Sequence, residues 1–243
     1  SILEQMKIEG IVINKDYNTN LAMTFNNFAA LSQSKGEYEK ALIYYKRALD
    51  IFQREYGDNN KNTAISFSNM SNIYSELGEY IKAKELLEKA LDIQLNNLPR
   101  NHPDIAICYS NLAAIYSSSN EYSKAEQLFQ KALNIQYQNF GTNHPKNIST
   151  MSNLASIYAN MGNYIKASEL LEKALKIAIS NLGKKHPEVG YILYKSAIIN
   201  LNMKNSNLAS NQLMEAKNIL SNTLGKKHPI LNNIDKVLEK ALN

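Results

Sequence analysis

Cysteine occurs once, at Cys108, and tryptophan not at all. A lone thiol closes no internal disulfide, so a disulfide-stapled secreted scaffold is excluded and a reducing, cytoplasmic setting is expected. Nine Gly and five Pro among 243 residues are too few for a loop-rich or low-complexity chain. No stretch approaches the roughly 18 consecutive apolar residues of a spanning helix, and no charged start leads into an apolar run. Paired-carboxylate motifs, a phosphate-cradling Gly loop and a Ser/His/Asp signature are all missing, so neither enzymatic activity nor a cofactor is expected.

What is present is apolar side chain in quantity, 44% of the residues, enough to bury a sizeable interior. The net charge of +5 is uneven. Residues 1–121 carry 12 basic and 15 acidic side chains, and residues 122–243 carry 15 basic and 7 acidic. A basic half draws acidic peptides, nucleic acid or anionic lipid, and charge alone separates none of these.

The ordering signal is a period. LGKKHP stands at Leu182–Pro187 and again at Leu224–Pro229, 42 residues on. His-Pro recurs at the same step from His102 through His144 and His186 to His228. Ala41, Ala83, Ala125, Ala167 and Ala209 form one column, and Ala48, Ala90, Ala132, Ala174 and Ala216 a second, seven residues later. Asn27, Asn69, Asn111 and Asn153 keep the step, as do Tyr38, Tyr80, Tyr122 and Tyr164. Self-similarity of this kind marks a stacked array.

Each unit reads as two helices. In the third, Pro103 suits a first helical turn and Asp104 complements the positive helix end. Ile105, Tyr109, Leu112, Ala113 and Tyr116 then follow helical spacing. A Ser-Ser-Ser-Asn break at 117–120 precedes a second helix from about Glu121, which ends near Phe140-Gly141-Thr142. Gly78 and Gly162 fill the equivalent break elsewhere, fit for a left-handed cap. The short break predicts an antiparallel hairpin. Two small residues seven apart lie on one helix face, so the paired Ala columns let the second helix approach the first closely. A hairpin cannot bury its own apolar face, and stacking on neighbours supplies the missing wall.

The order aromatic, Asn-Leu-Ala, Tyr, Gly, Tyr, Lys-Ala and Lys-Ala-Leu resembles the tetratricopeptide repeat. It is carried best by Tyr109, Asn111-Leu112-Ala113, Tyr116, Tyr122, Ala125 and Ala132-Leu133, and by Asn153-Leu154-Ala155, Tyr158, Gly162, Tyr164, Ala167 and Ala174-Leu175. The step of 42 with a Leu/Phe-Gly-x-x-His-Pro link is similar to the repeats of kinesin light chain, whereas the common family period is shorter. The resemblance implies an all-α fold, a right-handed α-solenoid of five helical hairpins with a C-terminal capping helix. Residues 18–229 are expected to hold the five repeats. Residues 230–243 would close the stack through Ile230, Ile234, Val237 and Leu238. Residues 1–17 would be a partial repeat or N-terminal cap of a longer array. The fifth unit departs from the pattern, with Lys195 in place of Asn, Lys204 in place of Gly and Ser206 in place of Tyr; the first link has Asn60-Lys61 in place of His-Pro.

Four evenly spaced His residues invite a metal reading, but stacked helices lie about 8–10 Å apart. Zinc ligands must converge to about 2 Å from one ion. The His side chains are expected to cap the next helix, with no metal site. Cys108 lacks a positioned base and is expected to be buried and inert.

The Asn column is the functional candidate. Family resemblance places first helices on a concave surface and gives Asn27, Asn69, Asn111 and Asn153 contact with the backbone of an extended peptide. An amide side chain suits that task, since it offers donors and an acceptor at once. Ser68, Ser110 and Ser152 precede the Asn column, and Asn72 follows it by three, implying a wet, uncharged, shallow groove. Tyr194 and Lys195 stand at the last rung, suited to a carboxylate, an acidic side chain or a C-terminus. The competing role for the Asn side chains is to bridge neighbouring helices.

The function expected is a non-enzymatic scaffold or adaptor that binds an extended protein segment in its concave groove. One alternative is a docking or sensor arm of a larger signalling or enzyme protein. Another is an RNA-binding helical repeat, with the acidic first half against it. No membrane insertion is expected, and the sequence leaves the oligomeric state open.

Overall fold

The computed structural model describes residues 15–225 and 228–242. Residues 1–14 of the expected partial repeat, and Lys226 and Lys227 of the second hexapeptide copy, lie outside the described residues. Among the described residues every regular element is helical. In chain order they are α1 (Lys15–Ser34), α2 (Tyr38–Tyr56), α3 (Lys61–Glu76), α4 (Tyr80–Asn97), α5 (Pro103–Ser118), α6 (Tyr122–Phe140), a 3-10 turn (Pro145–Asn147), α7 (Ile148–Asn160), α8 (Tyr164–Leu182), α9 (Pro187–Asn202), α10 (Ser206–Leu224) and α11 (Pro229–Leu242). None of the described helices is long and apolar enough to cross a membrane. The chain divides into two compact units, one ending at Ile115 and the other beginning at Tyr116, inside α5.

The helix starts explain the His column. The first orphan N–H groups of a helix need acceptors. His102 Nδ1 accepts from the Asp104 N–H at 3.2 Å, His144 Nδ1 from Lys146 at 3.1 Å, His186 Nδ1 from Glu188 at 3.2 Å and His228 Nδ1 from Ile230 at 3.3 Å. In the first link Asn60 Oδ1 does the same for the Asn62 N–H at 2.9 Å. The imidazole thus performs the capping that Asn performs more commonly, which is why the link tolerates His and Asn at one position. Behind His144 the chain makes the 3-10 turn before α7, with Asn147 buried and its Nδ2 donating to the Gly141 and Thr142 carbonyls.

The breaks within the hairpins share one backbone conformation. Gly36, Gly78 and Gly162 have φ of 75°, 76° and 77°, and Asn120 and Lys204 in the same column have φ of 59° and 63°. A side chain in this left-handed region costs about 1–2 kcal/mol; Asn moderates the cost and Lys has no such help. Lys204→Gly is therefore expected to raise stability by about 0.5–1 kcal/mol, since the greater unfolded-state freedom of Gly offsets part of the relief. Chemical denaturation checks this: Lys204→Ala should leave the midpoint where it is, and a midpoint lowered by Lys204→Gly would contradict the strain.

All ten residues of the two Ala columns are fully buried. In the first unit, α1 pairs with α2 and α3 with α4, while α2 and α3 pack against each other. Ala29, Ala41, Leu42, Tyr45, Leu49, Met70 and Ile73 form a core shared by the two hairpins. In the second unit the hairpins are α7 with α8 and α9 with α10, joined through α8 and α9. α6 lies against α7, and α11 against α10. Ile234 is buried in α11 as its spacing implies, and Leu231 is buried beside it, a position the sequence reading passed over.

Candidate functional site

Side chains four apart on a helix share a face, so each first helix can be taken as a short line of neighbours. In the first unit, α1 presents exposed Asn27, and α3 and α5 present half-buried Asn69 and Asn111. None of these three side chains has a hydrogen-bond partner among the described residues. Asn72 is exposed one turn further along α3.

Other repeating asparagines are used quite differently. Asn97 Nδ2 donates to the Ile93 carbonyl and to Asn59 Oδ1, both at 2.7 Å. Asn181 Nδ2 donates to the Ile177 carbonyl at 2.9 Å and to the Asn143 carbonyl at 3.4 Å. These tie the last turn of a second helix to the preceding link. Their bonding is internal, and that of Asn27, Asn69 and Asn111 is unspent.

The residues preceding the Asn column turn toward the protein. Ser68 Oγ lies 3.8 Å from Cys108 Sγ, across the seam between α3 and α5. Ser110 Oγ is buried without a partner, and Ser152 is only 4% exposed, its hydroxyl also unpartnered. Cys108 itself is 1% exposed, and burial pushes its thiol up to about 11, against formation of a nucleophilic thiolate. Among the described residues no group of three or more His, Cys, Asp or Glu side chains is placed to hold a metal ion.

In the second unit the corresponding rung is altered. Asn153 on α7 is half-buried, and its Oδ1 accepts from Lys195 Nζ of α9 at 3.4 Å. The Ser152 carbonyl accepts from the same ammonium at 3.4 Å. Burial holds the Lys195 amine below its usual value, with the charge of Glu188 working in the opposite direction. Tyr194 is half-buried beside it.

The expectation of an entirely wet groove needs amending. Met23, Ile65 and Ile107 stand one turn before Asn27, Asn69 and Asn111, and are 55%, 37% and 56% exposed. An apolar row therefore borders the amide row in the first unit. In the second unit Ser149 and Tyr191 hold the same columns, so the row does not continue as aliphatic. The step of 42 carried the signal, but exposed and buried aliphatic side chains look alike until the helix face is known.

Comparison with known proteins agrees with this architecture. Residues 20–96, 94–138 and 146–230 match the family model described as Tetratricopeptide repeat. No curated protein sequence matches the chain. Among solved structures, a kinesin-light-chain-like protein of Podosopora anserina with nearly identical repeats is 22% identical, with 86% of this chain and 98% of that one covered at a TM-score of 0.73. BtubC (BKLC) from P. vanneervenii is 23% identical, with 88% and 84% covered at a TM-score of 0.75. YrrB, described as a repeat protein of this type with an unusual peptide-binding site, is 19% identical, with 88% and 92% covered at a TM-score of 0.53. At these identities the likeness is one of fold.

Proposed function

The chain belongs to the tetratricopeptide repeat family, and from that premise we propose that it is a non-enzymatic interaction scaffold that holds an extended segment of a partner protein along the Asn-bearing faces of its first helices. The observation that carries this reading is the contrast between two sets of asparagines. Asn97 and Asn181 are consumed by internal bonds, while Asn27, Asn69 and Asn111 recur at the same period with nothing to bond. Amides with both donors and acceptor free, half-buried at Asn69 and Asn111 and exposed at Asn27, suit a ligand that brings both, and a peptide unit is such a ligand. A strand advances about 3.3 Å per residue, so rungs about 8–10 Å apart would meet roughly every third residue of it. Contacts of this kind hold the path of the chain and ignore its side chains. The row of Met23, Ile65 and Ile107 supplies the apolar surface that amide bonding alone lacks. The peptide-binding site described for YrrB, in the same fold, is compatible with such a use.

The test replaces Asn69 and Asn111 together by Ala and measures binding of peptides selected on the wild-type protein from a display library. Two lost side-chain hydrogen-bonding sites at about 1 kcal/mol each predict affinity weakened roughly 10- to 30-fold, with the melting temperature near wild type. A drop in melting temperature with affinity unchanged would show that these amides bridge helices instead.

A further inference from the structure

The tips of the helical hairpins carry two different charge patterns. In the first three repeats Glu37, Glu79 or Glu121 stands just before the second helix, and each pairs with the Lys three residues on, Lys40, Lys82 or Lys124. In the fourth and fifth repeats Asn163 and Asn205 occupy that Glu column. Lys166 keeps the Lys column and lies over the Tyr158 ring at 5.5 Å. Lys204 adds a second exposed cation, in the left-handed position that Gly or Asn fills in the other repeats. Among the described residues no carboxylate lies within 4 Å of either ammonium. Residues 158–168 and 200–214 contain no Asp or Glu, and Glu169 and Glu215 stand further along α8 and α10. Glu126 of α6, which acts on the Tyr158 hydroxyl, is engaged by Gln130 Nε2 at 3.0 Å.

The same two tips expose large apolar side chains. Met161 and Met203 close α7 and α9, and Ile165 and Leu208 lie in the first turns of α8 and α10, 66% and 50% exposed. Both hairpins belong to the second unit and pack together through α8 and α9, so their tips are neighbours. An apolar side chain at the apex of a hairpin has no wall of its own chain to cover it, and a cluster of them marks a contact surface. Charge complementarity selects the partner: the tips offer unpaired cations and no anion, and the half of the chain from residue 122 on has 15 basic against 7 acidic side chains. The headgroup layer of an anionic bilayer takes projecting apolar side chains and cations together and needs no matching shape. Nucleic acid fits less well, because none of the four apolar side chains is a ring on which a base stacks. Independently of the peptide cradle, we propose that the tips of the fourth and fifth hairpins dock the protein on an anionic lipid surface. Met161, Ile165, Met203 and Leu208 enter the boundary between headgroups and acyl chains, and Lys166 and Lys204 face the lipid anions. The contact is a surface one, and none of the described helices is long and apolar enough to cross the bilayer. The second hairpin supplies a comparison within the chain: Leu77 and Ile81 expose a similar apolar pair, but Glu76 and Glu79 share that tip with Lys82.

The experiment is co-sedimentation of the whole chain with vesicles of phosphatidylcholine alone, or with about 30% phosphatidylserine, at low salt. Two lysines at about fivefold each predict binding about 25-fold tighter to the anionic vesicles, and about 0.5 M salt should remove most of that gain. Asn163→Glu with Asn205→Glu restores the acidic column of the earlier repeats and is expected to abolish the preference for anionic vesicles. Ile165→Ser with Leu208→Ser is expected to weaken binding roughly tenfold or more through lost apolar burial. All four positions are half-buried or exposed, so the melting temperatures should stay near wild type, which separates loss of the contact from loss of the fold. Ile81→Ser, on the acidic tip, should bind as wild type does. Absence of vesicle binding, equal binding to both compositions, or a preference that survives Asn163→Glu with Asn205→Glu overturns the proposal. So does an Ile81→Ser protein as impaired as the Ile165→Ser, Leu208→Ser one. Sedimentation velocity covers the protein alternative: self-association lost on Ile165→Ser with Leu208→Ser, with vesicles left unbound, would assign the tips to a second copy of the chain instead. The peptide cradle stands or falls separately, on the Asn69 and Asn111 variants.

Discussion

Phe52→Ala is expected to lower stability by about 3–5 kcal/mol, the range for truncating a fully buried aromatic ring. Phe52 lies on α2, 2% exposed, in a cluster with Ala22, Ala48 and Ile51 and bordered by Leu21, Phe25 and Tyr56. Its immediate neighbours include two alanines, which have no rotamer to swing into a void, so the site collapses poorly and the cavity cost stays high. The residue has no counterpart in other repeats: Gln94, Gln136, Ala178 and Leu220 occupy its column. In a repeat array, stability is a sum of local and nearest-neighbour contributions. The loss should therefore register first in amide exchange of α1 and α2, while α9 to α11 keep their protection. A decrease below about 1 kcal/mol in chemical denaturation would mean that the α1–α2 pair is not held by this ring. Uniform loss of protection along the chain would mean that the array unfolds as one body.

The contrast between Phe52 and the Ala columns shows what could be read from the amino-acid string. Positions that recur from repeat to repeat with the same or an equivalent residue announce their role, because one geometric demand is imposed again and again. The buried alanines, the His caps and the helix breaks are of this sort. The His residues were expected to cap the next helix, and each does so through Nδ1. Asn120 and Lys204 share the left-handed conformation of the glycines in their column, which only the common step could have suggested. Positions that vary between repeats are not legible in this way. Phe52, Leu231 and the exposure of Met23, Ile65 and Ile107 depend on which face each neighbour presents.

The candidate site divides along the same line. That Asn27, Asn69 and Asn111 form a column was plain from spacing, yet Asn97, Asn139 and Asn181 also form one, at the same step. Asn139 Nδ2 donates to the Ile135 carbonyl at 2.8 Å, as Asn97 and Asn181 donate to their own helices. Periodicity cannot separate an amide spent on its own backbone from an amide held free, and hydrogen-bond geometry does. The bond between Lys195 and Asn153 is a relation across 42 residues that exists only after stacking. Likewise Ser68 and Ser152 belong to seams rather than to an open floor, since a residue one step from Asn on a helix lies about 100° away around the axis.

The alanine columns set the helix spacing, and Ala132→Leu measures how firmly. Ala125 and Ala132 lie two turns apart on α6 and are both fully buried. Leu at 132 adds three carbons where no space is left, at a cost of about 1–3 kcal/mol in strained rotamers and displaced backbone. Gln127→Leu, on an exposed position of the same helix, should change stability by no more than about 0.5 kcal/mol. The chain carries its own precedent for this tightness. Gly190 of α9 stands in the column of Ala64 and Ala106, and a Cβ added there would come within 2.7 Å of Leu220 Cγ on α10. At this position the first helix has yielded its methyl group to the large side chain on its partner. Spacing is thus negotiated between facing residues, and a Leu introduced at 132 without a compensating loss opposite has no such accommodation. A melting temperature equal to that of the Gln127→Leu control would show that the helices are kept apart by something other than these columns, and the register of the hairpin would have to be redrawn.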